Sequence, residues 1–200
     1  MNPAPTTPTA ASPLAARATT LEIDLAHSTA QFSVKHLMVS NVRGEFTKLT
    51  GTVELDEQDI TRSRVQATID ASTIATRDEK RDAHLKSADF FGVEKYPTIT
   101  FKSTSVQKAG KGKLKVTGDL TLHGVTRQVV LDVEGPSAEA KDPWGNVKIG
   151  ANASTRINRK DFGLTWNTAL EAGGVLVGEE VAITLDLELT KKAPEKTTAN

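Results

Sequence analysis

The stretch VAITLDLEL at residues 181–189 decides the fold class. Apolar side chains occupy every second position in it, which is typical of a β-strand with one buried face. The same period of two recurs in earlier runs, at residues 32–36, 65–70, 99–102 and 114–122. Turn signals such as AGKG at 109–112 and HG at 123–124 separate neighbouring runs. The sequence therefore predicts an all-β protein whose eight or nine strands pair as an antiparallel meander.

One segment, at residues 77–91, breaks the alternation. Thr76 and Glu79 form a T-x-x-E capping box ahead of it. Apolar residues then follow at steps that roughly hold one helical face, at Ala83, Leu85, Ala88 and Phe91. An open meander of this length leaves edge strands with unpaired backbone groups, which can pair with other chains. We therefore expect the first and last strands to pair and close a barrel. The helix over 77–91 is expected to lie across one mouth, with its apolar stripe facing the interior.

Composition excludes several classes of function. Lys plus Arg and Asp plus Glu both total 25, so the formal net charge is zero and no field of one sign attracts nucleic acid. The chain has no cysteine, and its four histidines lack metal-like spacing, so no zinc motif is present. No apolar run is long enough for a membrane span, and we expect no stable membrane insertion.

The chain divides into one domain with two tails. Residues 1–20 are rich in Ala, Pro and Thr and are expected to be a disordered leader, residues 21–191 the barrel, and residues 192–200 a flexible tail. The first segment does not have the apolar centre of a signal peptide. The sequence as it stands predicts a cytoplasmic protein, and a periplasmic one if a precursor segment is missing.

Four segments follow one another in a specific order and spacing: FSVKHLMVSNVRGEF at 32–46, RDAHLKSADFFGVEKYPTITFK at 81–102, TGDLTLHGVT at 117–126 and NRKDFGLTW at 158–166. In these segments the chain resembles the YceI-like family of lipocalin-like, polyisoprenoid-binding proteins. The resemblance implies an extended lipocalin-like antiparallel barrel of about eight strands, with a short helical segment and a lipid chain in its pore. It also makes a homodimer worth testing.

Alternation, helical spacing and the resemblance together select twelve candidate ligand-binding residues. They are Phe32, Val34, His36, Phe46, His84, Leu85, Phe91, Ile99, Phe101, Leu120, Arg159 and Trp166. The apolar members either line a cavity or form plain core, because inward positions of a barrel serve both purposes. Only one of Phe90 and Phe91 can point inward from a regular helix, and Phe91 follows the stripe of Leu85.

The polar candidates also allow two interpretations. His36 and His84 either donate to a ligand headgroup or are core histidines that bond to backbone groups. Arg159 either binds an anionic headgroup or closes the end of the barrel, where it could meet Asp161, with Trp166 packed behind it. No nucleophile, base and orienting acid form a recognisable catalytic motif.

These observations lead to three hypotheses. The first is noncatalytic binding, storage or transport of a long-chain amphiphilic lipid, such as a polyisoprenoid, an isoprenoid quinone or a similar molecule, without a further cofactor. The second is an enzyme that acts on a lipid headgroup at the pocket mouth through His36, His84 or Arg159. The third is a structural or interaction module with a filled barrel, which would bind no apolar ligand.

Overall fold

The computed structural model describes residues 18–169 and 174–192. Their strands are β1 Ala18–Ile23, β2 Thr29–His36, β3 Ser40–Phe46, β4 Leu49–Asp56, β5 Arg64–Asp70, β6 Ile74–Ala75, β7 Thr98–Gly110, β8 Lys113–Leu122, β9 Val125–Glu134, β10 Ala140–Lys141, β11 Val147–Asn158 and β12 Val177–Lys191. One α-helix, α1 Glu79–Lys86, and three single-turn 3₁₀ helices, Ile60–Arg62, Ala71–Thr73 and Arg159–Phe162, complete the described elements.

Eight of the strands close an antiparallel barrel, which confirms the predicted fold class. Their order around the barrel is β11, β9, β8, β7, β5, β4, β1 and β12, and β12 pairs back onto β11. Strands β2 and β3 lengthen the barrel at one end, because β2 pairs with the first part of β12 and β1 with the last part. The strand count exceeds the prediction mainly because bends at 24–28 and 47–48 divide long strands, and because β6 and β10 have two residues each.

Strand β12 connects the two ends of the barrel. It pairs with β1, β2 and β11, and its fifteen residues cover the length of the structure. Its alternating apolar side chains line the interior, at Val181, Ile183, Leu185, Leu187 and Leu189. The period of two read from the sequence therefore places these side chains on the inner face.

The hairpin between β8 and β9 turns through two residues, as predicted. His123 and Gly124 both have positive φ, 53° and 73°. Two left-handed residues in succession are the signature of a type I′ turn, whose twist matches that of the adjoining strands. The turn predicted at 109–112 is also present, with Gly110 paired to Lys113.

The helix is shorter than predicted and begins differently. It spans Glu79–Lys86 instead of 77–91, and its N-cap is Asp78, whose carboxylate accepts from the backbone N–H of Arg81 at 3.0 Å. The capping box of Thr76 and Glu79 is therefore wrong. The hydroxyl and backbone N–H of Thr76 instead donate to the carboxylate of Asp82.

The end of the helix follows from packing. Phe90 and Phe91 both reach the barrel interior, and consecutive positions of a regular helix cannot point the same way. The backbone therefore leaves the helix at Ser87, whose N–H bonds to the carbonyl of His84 at 3.1 Å. The expectation that only Phe91 points inward is wrong for this reason.

The domain boundaries differ slightly from those predicted. Strand β1 begins at Ala18, so residues 18–20 belong to the barrel and not to the leader. Strand β12 ends at Lys191, and the backbone N–H of Lys192 still donates to the carbonyl of Thr20 at 2.9 Å. The rest of both predicted tails, 1–17 and 193–200, lies outside the described residues. Within 18–169 and 174–192, no helix has the length and apolar character that crossing a bilayer requires.

Among the described residues, ten of the buried apolar side chains form two clusters. The first, near α1, contains Ala71, Ile99, Leu122, Ile157, Phe162 and Leu164. The second, where β12 ends, contains Leu21, Leu55, Ile149 and Leu189. Protein interiors are normally close-packed throughout. The space between the two clusters is not completely filled by side chains.

Candidate functional site

A cavity of about 280 Å³ occupies this space and extends from one core cluster to the other. A volume of this kind has room for on the order of twenty water molecules. Among the described residues that line it, the polar ones are Gln31, Ser63, Thr100, Thr155 and Arg159. All the other lining residues are apolar, so the cavity suits a hydrocarbon chain.

Nine of the twelve predicted residues line this cavity. They are Phe32, Val34, Phe46, Leu85, Phe91, Ile99, Phe101, Leu120 and Arg159. The other three, His36, His84 and Trp166, lie beside the cavity and not on its wall as described. Strand alternation therefore predicts wall positions well. It does not predict where the wall ends at His36, nor the positions of His84 and Trp166, which lie outside regular strands.

Two glycines keep phenylalanine rings against the wall. A Cβ added at Gly44 would lie 2.5 Å from Cζ of Phe32, and one added at Gly118 would lie 2.4 Å from Cζ of Phe101. Each ring therefore covers a glycine on the neighbouring strand, where any larger residue would push it inward. Both rings line the cavity in these positions.

Aromatic rings gather at the end of the barrel that α1 covers. The ring of Phe46 contacts both Phe32 and Phe91, with centroids 5.8 and 5.6 Å apart. Phe90 is 7% exposed, lines the cavity, and packs against Trp166 at 5.1 Å. These contacts hold the segment after α1 against the mouth of the cavity.

His84 is bound by its neighbours outside the cavity. Its Nε2 lies 2.9 Å from the carboxylate of Asp89, and its ring stands edge-on to Phe90 and Trp166 at 5.1 and 4.7 Å. Neither of the predicted partners, a headgroup or a backbone group, is the partner seen. The ring of Trp166 therefore packs against His84 of α1 and against Phe90 of the segment that follows α1.

Arg159 is buried, at 3% exposure, and all its described hydrogen bonds go to backbone carbonyls. Its guanidinium donates to Gly178 at 2.8 Å, to Trp166 at 2.9 Å, to Val177 at 3.4 Å and to Leu164. No ion pair with Asp161 occurs among the described residues, so that expectation is wrong. Burial lowers the pKa of Arg159, and the negative charge of Glu179 acts in the opposite direction with a smaller effect. Arg159 therefore ties the chain together at the barrel end.

His36 lies one step beyond the cavity. It is the last residue of β2, paired with Val177 of β12 and Ser40 of β3, and it is half-buried. The inward face predicted for it ends at Val34, which does line the cavity. Because its ring is partly exposed, water can satisfy it, and the buried partner that an inward position would require is not needed.

Several wall and support positions are absent from the twelve predicted residues. Gly44, Gly118 and Ala67 create room in the barrel, and a glycine inside a strand is the available signal of close approach. Phe90 was missed because the regular helix assumed there extended too far. The carbonyl partners of Arg159 come from a turn and a distant strand, and no local pattern identifies them.

Outside the barrel, Asp24, His27 and Glu188 form a cluster with ligand atoms within 4.8 Å of one another. The ammonium of Lys148 lies 2.5 Å from Asp24 and 3.0 Å from Glu188, so a cation already neutralises these carboxylates. The bond to Lys148, with a smaller contribution from His27, lowers the pKa of Asp24 to about 2. The same carboxylates raise the pKa of Lys148. The cluster therefore connects the β1–β2 bend to β11 and β12.

Comparison with known proteins identifies the family. The YceI-like domain matches residues 21–189, which is nearly the whole described barrel. A UPF0312 protein of Staphylococcus aureus strain MSSA476 is 40% identical over 172 residues, which is 86% of this chain and 98% of the relative. The chain belongs to the YceI-like family.

Solved structures show the same fold. The YceI protein of Campylobacter jejuni superposes with a TM-score of 0.67 at 31% identity, over 80% of this chain and 90% of that one. BcnA of Burkholderia cenocepacia gives a TM-score of 0.71 at 26% identity, over 83% and 98%. A polyisoprenoid binding domain from Saccharophagus degradans gives 0.63 at 17% identity, over 88% and 99%, and shows the fold alone.

Proposed function

We propose that this YceI-like protein binds one long-chain amphiphilic lipid in its barrel and acts as a noncatalytic carrier or store. The lipid class we propose is a polyisoprenoid or an isoprenoid quinone. The observation that carries the proposal is the apolar cavity between the two core clusters. A close-packed interior would have favoured the filled-barrel interaction module instead.

The energetics support a hydrocarbon ligand. Burying on the order of 500 Å² of hydrocarbon at about 25 cal/mol/Å² provides roughly 12 kcal/mol before the costs of association. The one charged residue among the described wall positions, Arg159, already donates to four carbonyls. Affinity therefore comes from the chain of the lipid, and its polar head is expected to remain outside the cavity.

The polyisoprenoid class is supported by one structural neighbour. The Saccharophagus degradans domain with the same fold is described as polyisoprenoid-binding and implicated in plant cell wall breakdown. An elongated, branched hydrocarbon also fits a barrel lined from end to end by branched aliphatic side chains.

The noncatalytic part of the proposal rests on the candidate polar groups. His84 is held by Asp89 and Trp166, Arg159 by backbone carbonyls, and His36 lies beyond the wall. The enzyme hypothesis needs these groups to face a headgroup in the pocket, whereas the two histidines lie off the described cavity wall and the guanidinium of Arg159 bonds to backbone carbonyls. The bound lipid is then the ligand, and no cofactor is required.

The test is a pair of variants on one strand. Ala67 of β5 lines the cavity, whereas its neighbour Thr68 faces outward and is exposed. Ala67→Phe fills the middle of the barrel and is expected to weaken binding of a long polyprenyl alcohol or quinone in detergent at least about tenfold, while Thr68→Phe leaves binding unchanged. Equal affinity of both folded variants and the wild type would contradict a site inside the barrel.

A further inference from the structure

The β2–β3 turn presents three consecutive apolar side chains to solvent. Leu37, Met38 and Val39 are 40%, 61% and 80% exposed. Scattered exposed apolar residues are ordinary, but a contiguous group at a protruding tip marks an interaction site more often. Together with the parts of β2 and β3 nearest the turn, these residues form what we call the tip hairpin, residues 32–44.

The residues of this turn are also poorly suited to its backbone conformation. Leu37 and Met38 have φ of 52° and 59°, and the N–H of Val39 donates to the carbonyl of His36 at 3.1 Å. This is type I′ turn geometry, which strongly prefers Asn-Gly at its two central positions. Bulky apolar residues are unfavourable there in both conformation and hydration. A stable fold alone does not require them.

The tip hairpin is positively charged although the whole chain is neutral. Lys35 and Arg43 are exposed, and no acidic residue occurs from 32 to 44, although the half-buried Glu45 follows on the same face of β3. Neither of these two side chains forms an ion pair with another described residue. The facing bulge of β12 carries Glu179 and Glu180, whose carboxylates already pair with Lys160 and Arg156. The two free cations therefore complement an anionic surface.

The tip is continuous with the cavity. Val34 and Val177 line the cavity, and the pairing of His36 with Val177 places the turn just outside that end of the barrel. The N–H of Leu37 also bonds to the carbonyl of Leu176 at 2.9 Å, which fixes the turn beside the mouth. A surface that covers the tip would therefore lie next to this end of the cavity.

We infer that the tip hairpin docks on an anionic phospholipid bilayer, with Leu37, Met38 and Val39 among the headgroups and Lys35 and Arg43 at the phosphates. Such interfacial binding combines a small inserted apolar area with attraction to anionic lipid, and it is reversible. The inference rests on the proposed function, since a lipid carrier must collect its ligand from a membrane and release it there.

The test replaces the tip by the preferred turn sequence. The double variant Leu37→Asn, Met38→Gly gives Asn-Gly and is expected to fold with an unchanged or higher Tm. Flotation with vesicles of phosphatidylcholine and phosphatidylglycerol in a three-to-one ratio, free of quinone, is expected to recover about tenfold less of this variant than of the wild type. Trp144→Ser is the control, because Trp144 is 84% exposed but lies at the opposite end of the barrel.

Two results would overturn the inference. They are wild-type protein that does not float with these vesicles, and a double variant that floats as well as the wild type. Loss of flotation in Trp144→Ser alone would also overturn it, since docking would then occur at the other end. Binding of a long polyprenyl alcohol and of a long-tailed ubiquinone in detergent is measured separately on the same proteins. The absence of binding to both would refute the proposed function whatever the vesicles show.

Discussion

At the scale of single residues, Arg159 shows how a buried charge can serve the fold. Five N–H donors in a planar group suit several carbonyls at once, and Arg159 bonds to Gly178, Leu164, Trp166 and Val177 from the first turn after β11. It thereby joins the segment after the 3₁₀ helix to the start of β12. Removing it would leave buried carbonyls without donors, which costs more than the bonds themselves contribute.

We therefore predict that Arg159→Met lowers the free energy of unfolding by about 2–4 kcal/mol. Arg156→Met is the matched control on β11, because Arg156 is exposed and pairs only with Glu180, so its removal should cost less than about 1 kcal/mol. Urea denaturation measures both. If Arg159→Met were as stable as the wild type but bound lipid poorly, Arg159 would be a ligand-binding group instead.

Asp24 gives the fold a dependence on acid. Its pKa in the folded state is about 2, below the ordinary value of 3.8, because of Lys148 and then His27. A lowered pKa contributes stability above pH 3.8, and this contribution disappears as the pH falls from 3.8 towards 2. We predict that Asp24→Asn and Lys148→Met each flatten the loss of stability over this interval, as followed by denaturation at several pH values. An unchanged pH profile in both variants would show that the cluster does not stabilise the fold.

At the scale of elements, regular strands could be predicted and irregular segments could not. Alternation identified the inner face of β12 and placed Ile99 and Phe101 on the wall, because a strand fixes side-chain direction by parity alone. It placed His36 wrongly because parity does not indicate where the cavity ends. The helix after Thr76 was too long because its end depends on Phe90 and Phe91 packing into a barrel formed by distant strands.

The contact between Phe32 of β2 and Gly44 of β3 allows a test of whether the position of the Phe32 ring limits the cavity. A Cβ at Gly44 would meet Cζ of Phe32 at 2.5 Å and Thr76 at 2.7 Å, so Gly44→Ala must move the ring of Phe32. We predict that this variant folds with stability lower by about 1–3 kcal/mol and that it binds long-chain lipid more weakly. Adding Phe32→Leu should restore binding by removing the displaced ring. Failure of the second change to restore binding would show that Phe32 does not limit the cavity.

At the scale of the whole molecule, the barrel has two small cores and a cavity between them. The lost packing in the middle reduces stability, and a hydrocarbon chain in the cavity would restore those contacts. A ligand that binds only the folded state also raises the free energy of unfolding, and this increase grows with the logarithm of the ligand concentration once that concentration exceeds the Kd. A bound lipid is thus expected to stabilise the folded protein in the way that buried core side chains do. The division of the buried residues into two clusters could not be predicted from local sequence patterns, because each cluster joins residues that are distant in the chain.

The most direct test is native mass spectrometry of the purified protein before and after organic extraction. We predict one bound lipid per chain before extraction, an isoprenoid or a related long-chain molecule in the extract, and a lower Tm of the extracted protein that recovers when the lipid is returned. A chain that carries no lipid when purified, and whose Tm does not respond to polyprenyl alcohols, isoprenoid quinones or fatty acids, would contradict the account.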